Sequence, residues 1–402
     1  MSARRVAIVA GEASGDLLGA SLIAAVRARA PDVEFYGIAG PRMMAAGAKS
    51  LFPMEKLSVS GYVEVIKHLR EILGIRSQLA KAILAEPPDL FIGVDAPDFN
   101  LGLEMKLKRA GIPTVHYVSP SIWAWRPERL PGIGRAVDRV LTLFPFEDAI
   151  YAKAGIAATF VGHPLADSMP LVPDRADARA QLRLPASASA IALLPGSRVP
   201  ELRHHADLMI DTAKRLYAAH PETRFFVPLA TRETRDHFEA RLYAREAAEL
   251  PLTILFGHAR LALQAADVAL IASGTATLEA ALARCPMVIT YRVPWLTYRI
   301  MKRKALQPWF GLPNILAGEF IVPELIQDDA TPENLSQALS NWLENKLARE
   351  RLAVRFAGIH ESLAQGNDER VANALMPYLT AKAAHAEPAH HDAPGLAALR
   401  SR

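Results

Sequence analysis

The sequence predicts an α/β protein of two doubly wound domains, each a parallel sheet flanked by helices and facing the other across a cleft. Three observations carry this expectation. Short apolar runs of four to six residues alternate with helix-length segments along most of the chain. Such runs, apolar on both faces, are the mark of parallel strands joined by crossover helices. The rhythm pauses once, over residues 163–189, where four prolines and no long apolar run stand. Finally, 402 residues with 51% hydrophobic content exceed what one ordinary core accommodates.

In chain order, Val6–Ala10 reads as the first strand and Leu17–Ala30 as the helix after it. Phe35–Ile38, Leu90–Val94, Val115–Val118, Val140–Leu143 and Thr159–Val161 read as further strands, with a helix at Leu101–Ala110. An N-terminal domain over residues 1–165 follows, then a linker with a short helix over 166–189. The strand rhythm restarts at Ala190–Leu194 and continues at Arg224–Val227, Thr253–Leu255, Val268–Ile271 and Met287–Thr290, giving a second domain over 190–366. Residues 333–380 read as helical, with a C-terminal helix over 367–380. The composition of 381–402, rich in Ala, His and Pro, predicts a solvated, disordered tail.

Charge narrows the functional classes. Lys plus Arg number 46 against 42 Asp plus Glu, a net +4. This is far from the density of a dedicated nucleic-acid binder and fits anionic substrates or an anionic membrane surface. The single cysteine, Cys285, allows no intrachain disulfide and fits a reducing compartment. No stretch of 18 uncharged apolar residues is present, and the N-terminal apolar run is too short for a signal sequence. A cytoplasmic protein that spans no membrane is expected.

Several strand-to-helix turns carry candidate chemistry. Gly11-Glu12-Ala13-Ser14-Gly15-Asp16 follows the first strand, where glycines let backbone approach a ligand and the next helix offers unpaired N–H groups. A plain turn capped by Ser14 or Asp16 is the alternative. Strand Leu90–Val94 ends at Asp95, where open α/β sheets bind ligands, so Asp95 is placed for general-base work. Asp98 is its rival, although it also suits a helix N-cap. The loop from His116 to Arg126 holds Trp123, Trp125, Arg126 and hydroxyls. It suits a sugar, acyl chain or phosphate, or else wedges tryptophans onto the core.

In the second half, Pro195-Gly196-Ser197-Arg198 with Glu201 puts Arg198 at a helix N-terminus, as a diphosphate requires. Ser273, Gly274 and Thr275 form a turn whose N–H groups and hydroxyls suit a pyrophosphate. Glu279 follows Thr275 by one helical turn, placed to accept both hydroxyls of a ribose. Asn314, in Gly311-Leu312-Pro313-Asn314, is either a helix cap or a ligand contact. In Tyr62–Leu84, Val63, Ile66, Leu69 and Leu73 form an apolar face beside Lys67, Arg70, Arg76 and Lys81. Such a helix lies on an anionic bilayer or packs on a core. No local spacing assembles three metal ligands, so neither metal nor cofactor is expected.

Taken together, VAGEASGD, AGPRM at 39–43, GVDAPDFN, HYVSPSIWAWR, VGHP at 161–164, LPGSR, ASGTATLE and LPNILAG resemble the lipid-A-disaccharide synthase family, in order from about residue 6 to about 378. The stretch ALQPWFG at 305–311 departs from that pattern. The resemblance implies a GT-B fold, two Rossmann-like lobes with the active site between them. It implies an inverting, metal-independent transfer of 2,3-diacylglucosamine from its UDP conjugate to 2,3-diacylglucosamine 1-phosphate (lipid X). The products would be the β-1,6-linked disaccharide 1-phosphate and UDP.

Matched by motif, Asp95 is the implied base toward the acceptor 6-hydroxyl. Arg198, Glu279 and Asn314 are implied in UDP binding or activity, and Glu12, Ser14 and Gly15 in the first-lobe face of the cleft. Lipid substrates imply peripheral attachment to the inner face of the cytoplasmic membrane. The oligomeric state stays open, a homo-oligomer included. Other UDP-sugar GT-B enzymes and a non-catalytic two-lobed sugar binder are the competing readings.

Overall fold

In the computed structural model we describe residues 4–57, 62–124, 126–185, 187–304 and 306–380, and only the backbone of 62–67, 296, 297, 300 and 304. The first half runs β1 (Arg5–Ala10), α1 (Ala13–Arg29), β2 (Glu34–Ile38), α2 (Pro41–Ala45), β3 (Ala48–Ser50), α3 (Tyr62–Ala85) and β4 (Leu90–Val94). It continues through α4 (Pro97–Arg109), β5 (Thr114–Tyr117), α5 (Leu130–Ala136), β6 (Arg139–Thr142), α6 (Glu147–Lys153) and β7 (Ala158–Phe160). Two short helices, α7 (Pro164–Ser168) and α8 (Arg175–Gln181), occupy the segment expected to hold one.

The second half begins with β8 (Ala190–Leu194), α9 (Val199–Ala219), β9 (Arg224–Leu229), α10 (Arg232–Ala244), β10 (Leu252–Phe256) and α11 (Ala259–Ala265). Then come β11 (Val268–Ala272), α12 (Thr275–Leu282), β12 (Met287–Tyr291), α13 (Trp295–Lys304), α14 (Leu312–Ala317) and β13 (Glu324–Ile326). Helices α15 (Pro332–Glu344), α16 (Lys346–Leu363) and α17 (Asn367–Thr380) close the chain.

Both sheets are parallel, and their order explains where a ligand can sit. The first reads β3-β2-β1-β4-β5-β6-β7 and the second β10-β9-β8-β11-β12-β13. In each, the order reverses once, between β1 and β4 and between β8 and β11. Crossovers diverge at such a point and leave a crevice at the carboxyl ends of the strands. Central strands are apolar throughout because helices cover both faces: Val6–Ala10, Phe91 and Ala190–Leu193 are fully buried.

The last helix returns to the first sheet. Val371, Ala372, Leu375 and Leu379 of α17 share one core with β1, β4 and α1. Its start is tied down by polar bonds. The Asp167 carboxylate accepts from the N–H groups of Gly366 (3.0 Å) and Asn367 (2.6 Å), and the Tyr117 hydroxyl donates to Asn367 Oδ1 (2.9 Å). A carboxylate at a helix N-terminus also meets the positive end of its dipole. The tail 381–402, expected to be disordered, lies outside the described residues.

Candidate active site

The first wall forms where β1 and β4 end side by side. A Cβ on Gly11 would lie 2.8 Å from the Ala96 Cβ, so only glycine lets these two loops touch. A Cβ on Gly15 would lie 3.4 Å from the Val94 carbonyl, so the first turn of α1 sits directly against β4. Neither proposed cap closes α1: its N-cap, Glu12, makes no side-chain cap bond, and Ser14 is exposed. Buried Asp16 instead accepts from the N–H groups of Arg42 and Met43, each at 2.9 Å, and holds the start of α2.

Asp95 and Ala96 are both left-handed, with φ 51° and 43°. Such conformations cost non-glycine residues about 1–3 kcal/mol each and persist where surrounding structure imposes them. Here the Asp95 N–H donates to the Tyr117 carbonyl (2.8 Å), and the Asp95 carbonyl accepts from Asn100 Nδ2 (2.8 Å). The turn holds the part-exposed carboxyl of Asp95 at the cleft.

The second wall repeats the geometry. Gly196, at φ 123°, leaves room for Glu201, whose Cβ would be 2.6 Å from an added Cβ. The Glu201 carboxylate accepts from the Ser197 N–H (2.7 Å) and the Arg198 N–H (3.3 Å), a capping interaction that opens α9. Arg198 is the N-cap of that helix, and its guanidinium reaches Glu12 of the first wall at 3.4 Å. After β11, Gly274 takes φ 149° with open space where a Cβ would stand, and α12 starts at exposed Thr275. Ser273 is part-buried, and its hydroxyl donates to the Phe310 carbonyl at 3.4 Å. Glu279 is half-buried; burial pushes its carboxyl above the usual range, with Arg260 pulling back.

A cavity of about 970 Å³ joins the walls. Ser14, Leu17, Leu18 and Asp95 line it from the first half, and Arg260, Thr275 and Glu279 from the second. A second cavity of about 460 Å³ is lined by Gly196–Arg198, Ala272–Ala276 and Glu279. Thr275 and Glu279 border both, so the two spaces adjoin.

Several expected site residues are placed elsewhere. Asn314 is fully buried: its Oδ1 accepts from Ile321 and Val322 N–H (2.8 and 3.0 Å), and its Nδ2 donates to Val322 O and Glu324 (3.0 and 2.8 Å). A direct contact with UDP is therefore corrected to a part in shaping the loop before β13. Asp98 is exposed, paired with Arg129, and lines neither cavity, and the N-cap of α4 is Ala96. Its carboxylate stands at the surface in an ion pair with Arg129. Arg126 is part-buried at the start of a 3-10 turn and also lines neither cavity. Trp125 lies outside the described residues.

In the same loop Trp123 is a wedge. It packs edge-on against Phe144 and Phe146, with ring centroids 6.2 and 5.3 Å away, and its Nε1 donates to Glu147 (3.0 Å). Glu147 also accepts from the Leu143 and Phe144 N–H groups, and burial pushes its carboxyl up to about 7. Sequence reasoning missed Arg260 and His163, both on the cavity wall. Burial lowers His163 to about 4, and its Nδ1 accepts from the Leu165 N–H at 3.2 Å, so it is neutral. Arg260 lies inside a helix, and His163 stands in the VGHP motif without a partner in the sequence to mark its role.

On α3, Leu69 and Leu73 are 44% and 42% exposed, whereas Ile75, Leu79 and Ile83 are buried. The side chains of Val63 and Ile66 lie outside the described residues. No helix among the described residues is long and apolar enough to cross a membrane.

Known proteins share both sequence and architecture with this chain. A family model described as lipid-A-disaccharide synthetase matches residues 6–376. A relative from Aromatoleum aromaticum, named lipid-A-disaccharide synthase, is 56% identical over 377 residues, covering 94% of this chain and 96% of its own. One of the same name from an Azoarcus species is 55% identical over 381 residues, covering 95% and 97%. Among solved structures, Staphylococcus aureus MnaA with UDP aligns at TM-score 0.64 and 12% identity, covering 94% of this chain and 97% of that one. The calicheamicin glycosyltransferase CalG4 aligns at TM-score 0.60 and 16% identity, covering 94% and 99%. At these identities the two structures speak for the GT-B fold alone. The matches in sequence go further: the chain is a glycosyltransferase and belongs to the lipid-A-disaccharide synthase family.

Proposed function

We propose that the protein transfers 2,3-diacylglucosamine from UDP-2,3-diacylglucosamine to the 6-hydroxyl of 2,3-diacylglucosamine 1-phosphate, with inversion at the anomeric carbon. The single observation that carries this reading is the cavity bordered by Asp95 on one wall and by Thr275 and Glu279 on the other. Asp95 is its base: the carboxylate takes the acceptor proton as that oxygen attacks C1 of the donor from the face opposite UDP. Residues 190–366 form the donor lobe. The ribose hydroxyls donate to Glu279, and the diphosphate meets Arg198 and the N–H groups at Gly274 and Thr275. These groups stabilise the charge that builds on the leaving UDP in the transition state. Residues 1–165 form the acceptor lobe, with Ser14 at its face and Leu17, Leu18 and Leu143 offering apolar wall to acyl chains, while Gly15 is buried against β4 and only shapes that face.

The acyl chains of both substrates call for an enzyme that works at a lipid surface. We assign docking on the inner face of the cytoplasmic membrane to the exposed apolar residues of α3, Leu69 and Leu73, with Arg70 and Lys81 on the same helix. The test of the whole reading is UDP release from the diacylglucosamine donor in detergent micelles. Release that requires the 1-phosphate acceptor, with one disaccharide formed per UDP, supports the transfer. Equal release without acceptor would make the protein a hydrolase or epimerase and overturn it.

A further inference from the structure

Three buried polar residues crowd the turn that carries Asp95. Asn100, Glu104 and His116 are each 0% exposed. His116 Nδ1 donates to Glu104 Oε1 at 2.7 Å, and Asn100 Nδ2 donates to the Asp95 carbonyl at 2.8 Å. Gly93, two residues before Asp95 and in register with His116, makes room for them. A Cβ there would lie 2.2 Å from Glu104 Oε1 and 2.9 Å from the Asn100 Cβ. A buried ion pair is a poor source of stability unless its remaining atoms are also satisfied. Among the described residues, Glu104 Oε2, His116 Nε2 and Asn100 Oδ1 are buried without a hydrogen-bond partner. Buried polar atoms left unpaired in this way cost stability.

We propose that Asn100, Glu104 and His116 are positioning residues for Asp95: Asn100 locks the left-handed turn, and the hydrogen-bonded His116–Glu104 pair packs against the Gly93 backbone that leads into it. This rests on the reading of Asp95 as the base. The charged groups facing His116 are Glu104 from α4 and Asp95 from the turn after β4. Burial works to lower the His116 pKa, yet the charge and hydrogen bond of Glu104, with Asp95 adding to them, raise it above the ordinary value. The pair acts on the reacting carboxylate through the backbone that carries it, and neither member lines the cavity.

The test is a set of isosteric variants, Glu104→Gln and His116→Gln, together with Asn100→Ala, each made alone and combined with Asp95→Asn. Turnover, KM, UDP affinity and melting temperature are measured for each. The expected result is a 10–100-fold loss in kcat, with KM and UDP affinity within about threefold. In the Asp95→Asn background each change should cost less than twofold more, since partners in one function are not additive. If Glu104→Gln alone does not fold, Glu104→Gln/His116→Gln, which buries no charge, takes its place. Full additivity with Asp95→Asn, or variants that melt lower but turn over normally, would overturn the proposal while leaving Asp95 as base. Normal turnover in Asp95→Asn would overturn both.

Discussion

The Arg198 guanidinium at the start of α9 lies 3.4 Å from the Glu12 carboxylate at the start of α1, a charge pair that spans the cleft between the two sheets. Both side chains are about half exposed, so the pair contributes at most about 1 kcal/mol to stability. A diphosphate carries more charge than Glu12 and competes with it for the same arginine. Arg198→Ala should weaken UDP binding by roughly 10–100-fold, the scale of a lost charge-assisted hydrogen bond. Glu12→Gln should leave the melting temperature unchanged and UDP affinity equal or higher. Titration calorimetry checks both. Unaltered UDP affinity in Arg198→Ala would confine that residue to the bridge.

The ribose contact proposed for Glu279 comes with a stability penalty. Burial raises its pKa, so the folded protein holds that proton more tightly than the unfolded chain does. The resulting stability is full below the unfolded value and is lost as pH rises through the raised one. Glu279→Gln should therefore melt above the parent at pH 7.5, with the gap closing near pH 4.5. UDP affinity should move the other way. Only the carboxylate accepts two ribose hydroxyls, so parent affinity should fall as pH drops through the raised pKa, and the variant should bind weakly at every pH. A parent affinity independent of pH would contradict the ribose assignment.

Glu147 holds the tryptophan loop to the end of β6. With its carboxyl pushed up to about 7 by burial, ionisation is disfavoured in the folded state. Its contribution to stability is present at pH 5 and declines as pH rises through about 7. The parent should lose more melting temperature between pH 6 and 8.5 than Glu147→Gln does. Equal slopes in the two proteins would refute this.

The exposed half of α3 gives a clean membrane test. Leu69 and Leu73 stand in solvent, so Leu69→Ser/Leu73→Ser should keep the parent melting temperature while losing flotation with anionic liposomes. Each buried CH₂ contributes about 0.8 kcal/mol. High salt should release the parent in part by screening Arg70. By contrast, Leu79→Ser should unfold the protein, since Leu79 is 0% exposed. Undiminished flotation of the double variant would move the docking surface elsewhere.

Most of the eleven legible strands are apolar on both faces. The two that were missed, β3 (Ala48–Ser50) and β13 (Glu324–Ile326), are three-residue edge strands in which Lys49 and Ser50, and Glu324, break so short an apolar run. The turns after β1, β4, β8 and β11 were legible because glycine and acidic residues there interrupt an apolar rhythm. What a turn residue touches was not. Asn314 looks like a ligand contact until Glu324 and Val322 come back onto it, and the pairing of Asp98 with Arg129 leaves no mark in the sequence. The His116–Glu104 pair was hidden because it joins a strand to a helix across twelve residues, with no local motif.

Removal of the acceptor proton by Asp95 is tested by Asp95→Asn. The substitution keeps the shape and deletes the proton acceptor. Turnover should fall by roughly 10²–10⁴-fold, while the UDP dissociation constant measured by calorimetry stays that of the parent. Near-normal turnover in Asp95→Asn would contradict the account.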